Sequence, residues 1–533
     1  MAERTSKAIL AKGIRLDRNY KNILDYSEAS MLTLVQNKAV ASNLNCSFLR
    51  DEGVLQLDIP YGTALTADYL AFQNPAYSNK WFFAFIDKVE YYGEKNTRIY
   101  YTIDVCSTWF DYWIAQKCWV IREHANTDNA GDNLVPENLE LGEFVANGNR
   151  TDLFTANAYL YCIISTADPS STNKYVYCNL GGVIISGQLF IFWSAAQFSN
   201  FVLSMSNAGK LESISQAYMI PDSCIDFNDI TQHGDDDEHV YYTFNGTSSP
   251  YEHSNTIARP STLNGYTPVN KKLLTAPFNS FIVTNNAGTV NNYAYEYFNN
   301  PASCTFESKC IPVIGASIFC YPKNYKGIGS NYNEGITGAK FPTLQWTGDA
   351  YTNWLTQNSV NIGMGIVSDG IGLIKNAVTL GSGKIKDAKR AISGFESTGS
   401  SIMDQMAEMY KHSLVPMTIC GNTNNGDVMT AMKELDISAY PMSITRQFAE
   451  RIDQYFTRYG YATNKLKVPN QTGRATFNYV QIDAGEDIGH SGNTISVPPA
   501  DMEIINNVYR SGVTIWHNHD NIGNFDLANG IIS

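Results

Sequence analysis

Short runs of aromatic and β-branched residues recur along the first 345 positions, each closed by glycine, asparagine or a charged turn. From Lys80 to Val105 the pattern predicts a hairpin: Trp81–Ile86 and Val89–Tyr92 form one arm, Gly93–Asn96 the turn and Arg98–Val105 the other arm. Branched and ring side chains pack well on a pleated, half-buried surface, so such runs favour strands. Residues 1–150 therefore read as one β-rich unit. Between 151 and 345 shorter strand-like runs follow, at Ala158–Ser165, Val183–Trp193, Val240–Phe244 and Phe278–Thr284, divided by Asn, Gly, Ser and Pro turns. This stretch reads as one or two inserted β domains. Val183–Leu203 is the most apolar long window, but Ser186, Gly187, Gln188, Ser194, Gln197, Ser199 and Asn200 interrupt it. Buried strand and loop fit it better than a membrane-spanning helix.

The segment 346–416 breaks this pattern. Asn358–Gly383 has only Asp369 and Lys375 as charged groups, and six glycines stand among its aliphatic side chains. Val360, Ile362, Met364, Ile366, Val367, Ile371, Leu373, Ile374, Val378 and Leu380 give it an apolar surface, while Gly363, Gly365, Gly370, Gly372, Gly381 and Gly383 oppose a rigid helix. Beyond it, Met403, Met406, Met409 and Tyr410 share a helical face. Such a block can insert into a membrane or close a pore, since each CH₂ buried contributes about 0.8 kcal/mol. It can equally pack inside an oligomer or a core. In residues 417–533 ordinary globular grammar returns. Ser443 is placed to cap a helix that sets Ile444, Phe448, Ile452, Tyr455, Phe456 and Tyr459 on one side and stops at Gly460. Ala475–Ile482 reads as a strand, Pro499–Ser511 as a second helix and Val513–His517 as a strand.

Composition narrows the function. With 38 Lys+Arg against 51 Asp+Glu in 533 residues the formal net charge is −13, which disfavours tight binding to nucleic-acid phosphates. The ten cysteines show no repeated short spacing, as expected of reduced thiols in a protein made in a cytosol. Charges at Lys12, Arg15 and Asp17 leave no room for a signal-peptide core after Met1–Lys7. Motifs for catalysis are incomplete. Gly381-Ser382-Gly383-Lys384 lacks the earlier glycine and the following Ser/Thr of a phosphate loop, and Gly489-His490-Ser491-Gly492-Asn493 lacks the last glycine of a nucleophile elbow. Asp235-Asp236-Asp237-Glu238 lacks the spaced ligands of a calcium loop, and His517 and His519 lack a third distant metal ligand. No catalytic residue, metal site or cofactor is expected. Structural roles are expected for His517, His519 and the titratable triplet Arg122-Glu123-His124.

Several segments resemble the tail knob, or distal tail tube, proteins of small short-tailed phages that prime DNA replication with a protein, the Picovirinae type. The similar stretches are Trp81–Ile86, Ile103–Trp109, Val120–Asp128, Pro136–Glu143, Ile452–Tyr461, Pro469-Asn470, Arg474–Gln481 and Gly512–His517. The resemblance covers both ends of the chain and leaves 150–345 unaligned. It implies a mainly β fold with some α, in which residues 1–150 and 417–533 build a tail-tube-like β-barrel region and 151–345 form outer knob domains. It implies a homo-oligomer, six subunits in a ring at the virion tail tip, docked on a collar or upper tail protein and made in the host cytoplasm. Viral double-stranded DNA would pass through, and an acidic lumen would let it slide. The apolar block 346–416 would plug the lumen and help penetrate the host cell membrane. Two other readings remain open. The middle domains can bind host-wall glycan through exposed Tyr and Trp, or a carboxylate pair can degrade it.

Overall fold

The computed structural model describes residues 6–49, 53–155, 158–172, 174–234, 237, 239–245, 251–313, 316–340, 343–344, 436–483, 489–490 and 496–532. The chain divides into two compact units. The first contains Met1–Glu143, Tyr266–Thr275 and Thr445–Ser533, and the second Phe144–Gly265 and Ala276–Ile444.

Six antiparallel strands in the first unit close into a barrel in the order Ser6–Ala11, Ala39–Leu49, Val54–Leu57, Asn96–Ile103, Lys80–Gly93, Tyr69–Asn74 and back to Ser6–Ala11. The expected hairpin is present, with Gly93 opposite Asn96 at its tip. Side chains alternate across a strand, and in Ser6–Ala11, Tyr69–Asn74 and the first half of Lys80–Gly93 both faces are buried. Ala8, Leu10, Leu55, Leu57, Leu70, Phe72, Phe82, Ala84 and Ile99 form one cluster. Their neighbours Ile9, Ala11, Tyr69, Ala71, Phe83 and Phe85 join another with Met31 and Val35 of the helix Glu28–Asn37. Two-sided burial explains why Trp81–Ile86 is a continuous apolar run without alternation.

A second sheet interleaves the two ends of the chain. Its order is Asn22–Leu24, Val513–Trp516, Phe477–Ile482, Cys118–Glu123, Tyr461–Lys467, with only the first pair parallel. Phe477 and Trp516 of this sheet complete the cluster around Ile9 and Phe83, so the C-terminal strands cover the barrel wall. The helix Pro499–Ser511 has the predicted bounds, and Asp501 accepts the indole N–H of Trp109 at 2.8 Å.

Among its described residues the second unit holds a six-stranded sheet, two five-stranded sheets and a two-stranded hairpin. Most of its predicted strands are found, at Tyr159–Ser165, Val183–Ile185, Gln188–Phe192, Tyr241–Phe244 and Asn279–Thr284. Three expectations need correction. The window Val183–Leu203 also begins a helix, Ala195–Asn207, opened by a reciprocal Ser194–Gln197 capping box and buried through Phe201 and Met205. Ser443 caps nothing: it lies in the strand Ile437–Ile444, which pairs with Asn279–Thr284 on one edge and with Phe144–Ala146 and Thr151–Phe154 on the other. That pairing overrides the local cap signal and delays the helix to Arg446–Tyr459. The boundaries also differ from those expected, since Ile437–Ile444 belongs to the second unit and Tyr266–Thr275 to the first.

Gly460 ends the helix Arg446–Tyr459 at φ 64° and ψ −153°, a region open essentially to glycine alone. A Cβ there would also collide with the Glu123 carbonyl oxygen. Gly460→Ala is expected to destabilise the first unit by about 3 kcal/mol or more. A chemical denaturation midpoint unchanged from that of the parent chain would refute this.

Candidate functional site

Five of the segments that carry the sequence resemblance, Val120–Asp128, Pro136–Glu143, Ile452–Tyr461, Pro469-Asn470 and Arg474–Gln481, meet in the first unit in one polar network. The strand Cys118–Glu123 runs between Phe477–Ile482 and Tyr461–Lys467, and its end delivers Arg122, Glu123 and His124 to three different partners. The Arg122 guanidinium donates to the Gly460 carbonyl at 2.7 Å and to the Glu137 carboxylate, and lies 4.8 Å over the Tyr455 ring. Glu123 accepts from the Asn470 backbone N–H at 2.7 Å and from Lys467. His124 accepts the Tyr479 N–H at Nδ1, 2.8 Å, so its Nε2 donates to the Thr457 carbonyl at 3.0 Å. Burial, aided by the nearby Arg474 charge, pushes the His124 pKa down to about 3. The imidazole is neutral and fully engaged at neutral pH.

Around this end three carboxylates grip the returning segment Tyr266–Thr275. Asp453, on the helix Arg446–Tyr459, accepts from Tyr266 Oη at 2.7 Å, the N–H of Val269 at 2.7 Å, and both the N–H and the amide of Asn270 at 3.0 and 2.7 Å. Glu137 accepts from Lys272 Nζ at 2.6 Å and the Ala462 N–H at 2.8 Å, besides Arg122. Asp128 accepts from the Lys271 N–H at 3.2 Å and from the Tyr461 hydroxyl. Burial pushes Lys272 down and Asp128 up from their usual ranges. Lys272 also sits between the rings of Tyr461 and Phe456, at 5.3 and 5.8 Å. These groups are spent on hydrogen bonds to one another and to the backbone, so the arrangement is a clasp.

The other titratable motifs are likewise occupied. His517 bridges Asp25 and Asn478 at 3.0 and 3.1 Å, while His519 accepts the Arg15 N–H at 3.1 Å and faces Asp520 at 2.9 Å. Among the described residues no group of three His, Cys, Asp or Glu could hold a metal ion, and no helix is long and apolar enough to cross a membrane. A cleft of about 470 Å³ in the first unit is lined by Phe110, Trp113, Ile114, Ala115, Asn126 and Val468–Thr472, without a carboxylate, imidazole or thiol. Of the acidic turn, Asp237 is described and its carbonyl accepts from Gln197 at 3.2 Å, whereas Asp235, Asp236 and Glu238 lie outside the described residues. Gly489–His490 pairs with Trp113–Ile114, and Ser491–Asn493 lie outside.

Every residue of the expected apolar loop, the aliphatic set from Val360 to Leu380 and the glycines from Gly363 to Gly383, lies outside the described residues. So do Lys384 and Met403–Tyr410. The nearest described strands before and after it both belong to the second unit. The first, Thr343–Leu344, pairs among the described residues with Ala217-Tyr218 alone. The second, Ile437–Ile444, is paired along both edges, and its start is fixed by polar contacts: Arg150 donates to Asp436 at 3.1 Å and to Asp152, and Ser438 donates to Asp152 at 3.0 Å.

Sequence reasoning placed Arg122, Glu123 and His124 in a structural role but missed the clasp. Asp128, Glu137 and Asp453 all stand inside the resembling stretches, so the signal was present. Nothing in Tyr266–Thr275 itself marks a segment that leaves one unit for another.

Two family models match this chain. The model of the C-terminal domain of the tail knob protein gp9 of Bacillus phage phi29 matches residues 241–530, and that of the Caudoviral major tail protein N-terminus matches residues 4–113. Tail knob protein gp9 of Bacillus phage phi29 is 22% identical over 560 residues, covering 90% of each chain. Tail knob protein gp9 of Bacillus phage B103 is 22% identical over 549 residues, covering 87% of this chain and 88% of its own. The structure of the bacteriophage C1 tail knob protein, gp12, shares the fold with a TM-score of 0.61 at 15% identity, covering 99% of this chain and 100% of that one.

Two outcomes test the clasp. Asp453→Ala leaves the N–H groups of Val269 and Asn270 without an acceptor, so faster amide hydrogen exchange is expected across Tyr266–Thr275. Exchange as slow as in the parent chain would contradict it. His124 is depressed in the folded state, so the unfolded chain binds the extra proton between its ordinary pKa near 6.5 and about 3. Its contribution is complete above pH 6.5 and is lost as pH falls toward 3, with a slope of up to about 1.4 kcal/mol per pH unit. Urea midpoints of the parent chain should fall more steeply from pH 6.5 to 4.5 than those of His124→Gln; parallel curves would contradict the assignment.

Proposed function

The chain belongs to the family of phage tail knob proteins typified by gp9 of phi29, components of the virion tail, and we propose that six copies form the distal tube through which the genome leaves. The observation that carries this reading is the packed barrel. A closed barrel of six strands filled by its own side chains has no room for a duplex, so a passage for DNA needs the outer surfaces of several copies as its wall. The likeness of residues 4–113 to a major tail protein N-terminus supports a tube wall built from this barrel. A net charge of −13 supports a lumen along which phosphates slide and do not adhere.

The apolar block 346–416 serves, in this reading, as the plug of the lumen before infection and as the part that enters the host membrane on ejection. Its composition supports both states, glycine giving conformational freedom and the aliphatic set from Val360 to Leu380 giving affinity for a lipid interior. The remaining partners of this assembly are the collar or upper tail protein above and the host cell membrane below.

Electron microscopy of the purified chain, with particle mass measured on the same sample, should show a hollow ring or short tube of about six copies; a stable monomer would count against the tube. Deleting Asn358–Gly383 should leave the ring intact and abolish dye release from liposomes. Leakage retained by the deletion would sink the assignment of the loop.

A further inference from the structure

In the second unit Trp193 and Phe227 stack on each other at the surface. Their ring centroids are 4.8 Å apart with planes at 28°, and the residues are 41% and 44% exposed. The Tyr242 ring stands edge-on to Trp193 at 6.3 Å and 80°, forming a corner. Each member is held by its backbone. Trp193 follows the strand Gln188–Phe192, and its N–H donates to Gln197 Oε1 at 2.9 Å, a side chain that also closes the helix cap. Phe227 opens a short 3₁₀ turn, Phe227–Asp229, braced by Asp226, which accepts the Asn228 N–H at 3.0 Å. Large rings held rigid in solvent forgo the burial that a folding core would give them, and they offer flat faces ready for stacking.

The charge around the pair selects what can stack there. Asp226 and Asp229 lie on either side of Phe227 in the turn, and the Gln197 side chain that receives the Trp193 N–H also donates to the Asp237 carbonyl at 3.2 Å, which brings Asp237 near Trp193. From Leu211 to Ala258 the chain carries nine Asp and Glu and neither Lys nor Arg. Anionic partners are repelled by such a field. An ammonium group gains twice, from the negative face of an aromatic ring and from a nearby carboxylate. A sugar ring adds a flat CH face that matches the indole.

We propose that Trp193, Phe227, Asp226 and Asp229 form a platform for a glycan bearing free ammonium groups, the sugar stacking on the rings and its nitrogen facing the carboxylates. The exposed tail position of a knob protein makes a cell-surface glycopolymer the source of that ligand. The platform requires neither the ring nor the apolar loop, so its failure and theirs are read separately.

Isothermal titration calorimetry of the full chain with a glucosamine hexamer tests this, with the N-acetylglucosamine hexamer as the neutral counterpart. Saturable binding to the charged oligomer is expected, weakened at least tenfold by acetylation, by Trp193→Ala, by Phe227→Ala, and by Asp226→Asn with Asp229→Asn. Raising the salt from 50 to 500 mM should weaken it further. Phe227 lies in a surface turn, and asparagine keeps the capping bond at position 226, so these variants stay informative if Trp193→Ala unfolds. No saturable heat, equal affinity for the acetylated oligomer, or binding untouched by Phe227→Ala would each overturn the proposal.

Discussion

The first unit depends on two buried carboxylates, Asp453 and Glu137, and the half-buried Asp128, that draw the segment Tyr266–Thr275 out of the middle of the chain. A carboxylate in a dry interior is costly unless its oxygens are fully bonded. Here Asp453 receives four donors, two of them backbone N–H groups that fix the course of the visiting segment. Lys272 returns the favour by placing its ammonium on Glu137. The acceptors come from residues before position 140 and after position 450, so one constellation unites parts of the chain that are remote in sequence.

How far this was legible depended on whether the signal was local. Pro499–Ser511 was readable because proline, an early acid, a late arginine and Gly512 all mark its ends within a few residues. The hairpin from Lys80 to Ile103 was readable from its glycine turn. Gly460 revealed where its helix stops, but Ser443 misled about where it starts, because the strand around it is chosen by partners at 144–154 and 279–284. The helix Ala195–Asn207 announced itself through Ser194 and Gln197, yet the apolarity of its neighbourhood masked the period.

Barrel closure and the clasp were beyond local reading. The pairing of Ala8 with Phe72 is a fact about two segments sixty residues apart in sequence, and neither shows it alone. The same holds for the stacked pair Trp193 and Phe227, whose members look like ordinary core residues in the sequence and differ only in being left in solvent. The resembling stretches held the residues of the clasp without revealing that they touch.

The interleaved sheet sets a schedule for the nascent chain. Cys118–Glu123 leaves the ribosome early, but its neighbours Tyr461–Lys467 and Phe477–Ile482 follow only after about 350 further residues. At roughly 5 to 20 residues per second that interval is on the order of 20 to 70 s. During it both native neighbours of the strand are still unmade, while the whole of the second unit emerges. A chain that stops short of Phe477 therefore lacks the strands that cover the barrel wall, and the first unit is finished only as translation nears its end. The order of synthesis thus ties completion of the first unit to completion of the chain.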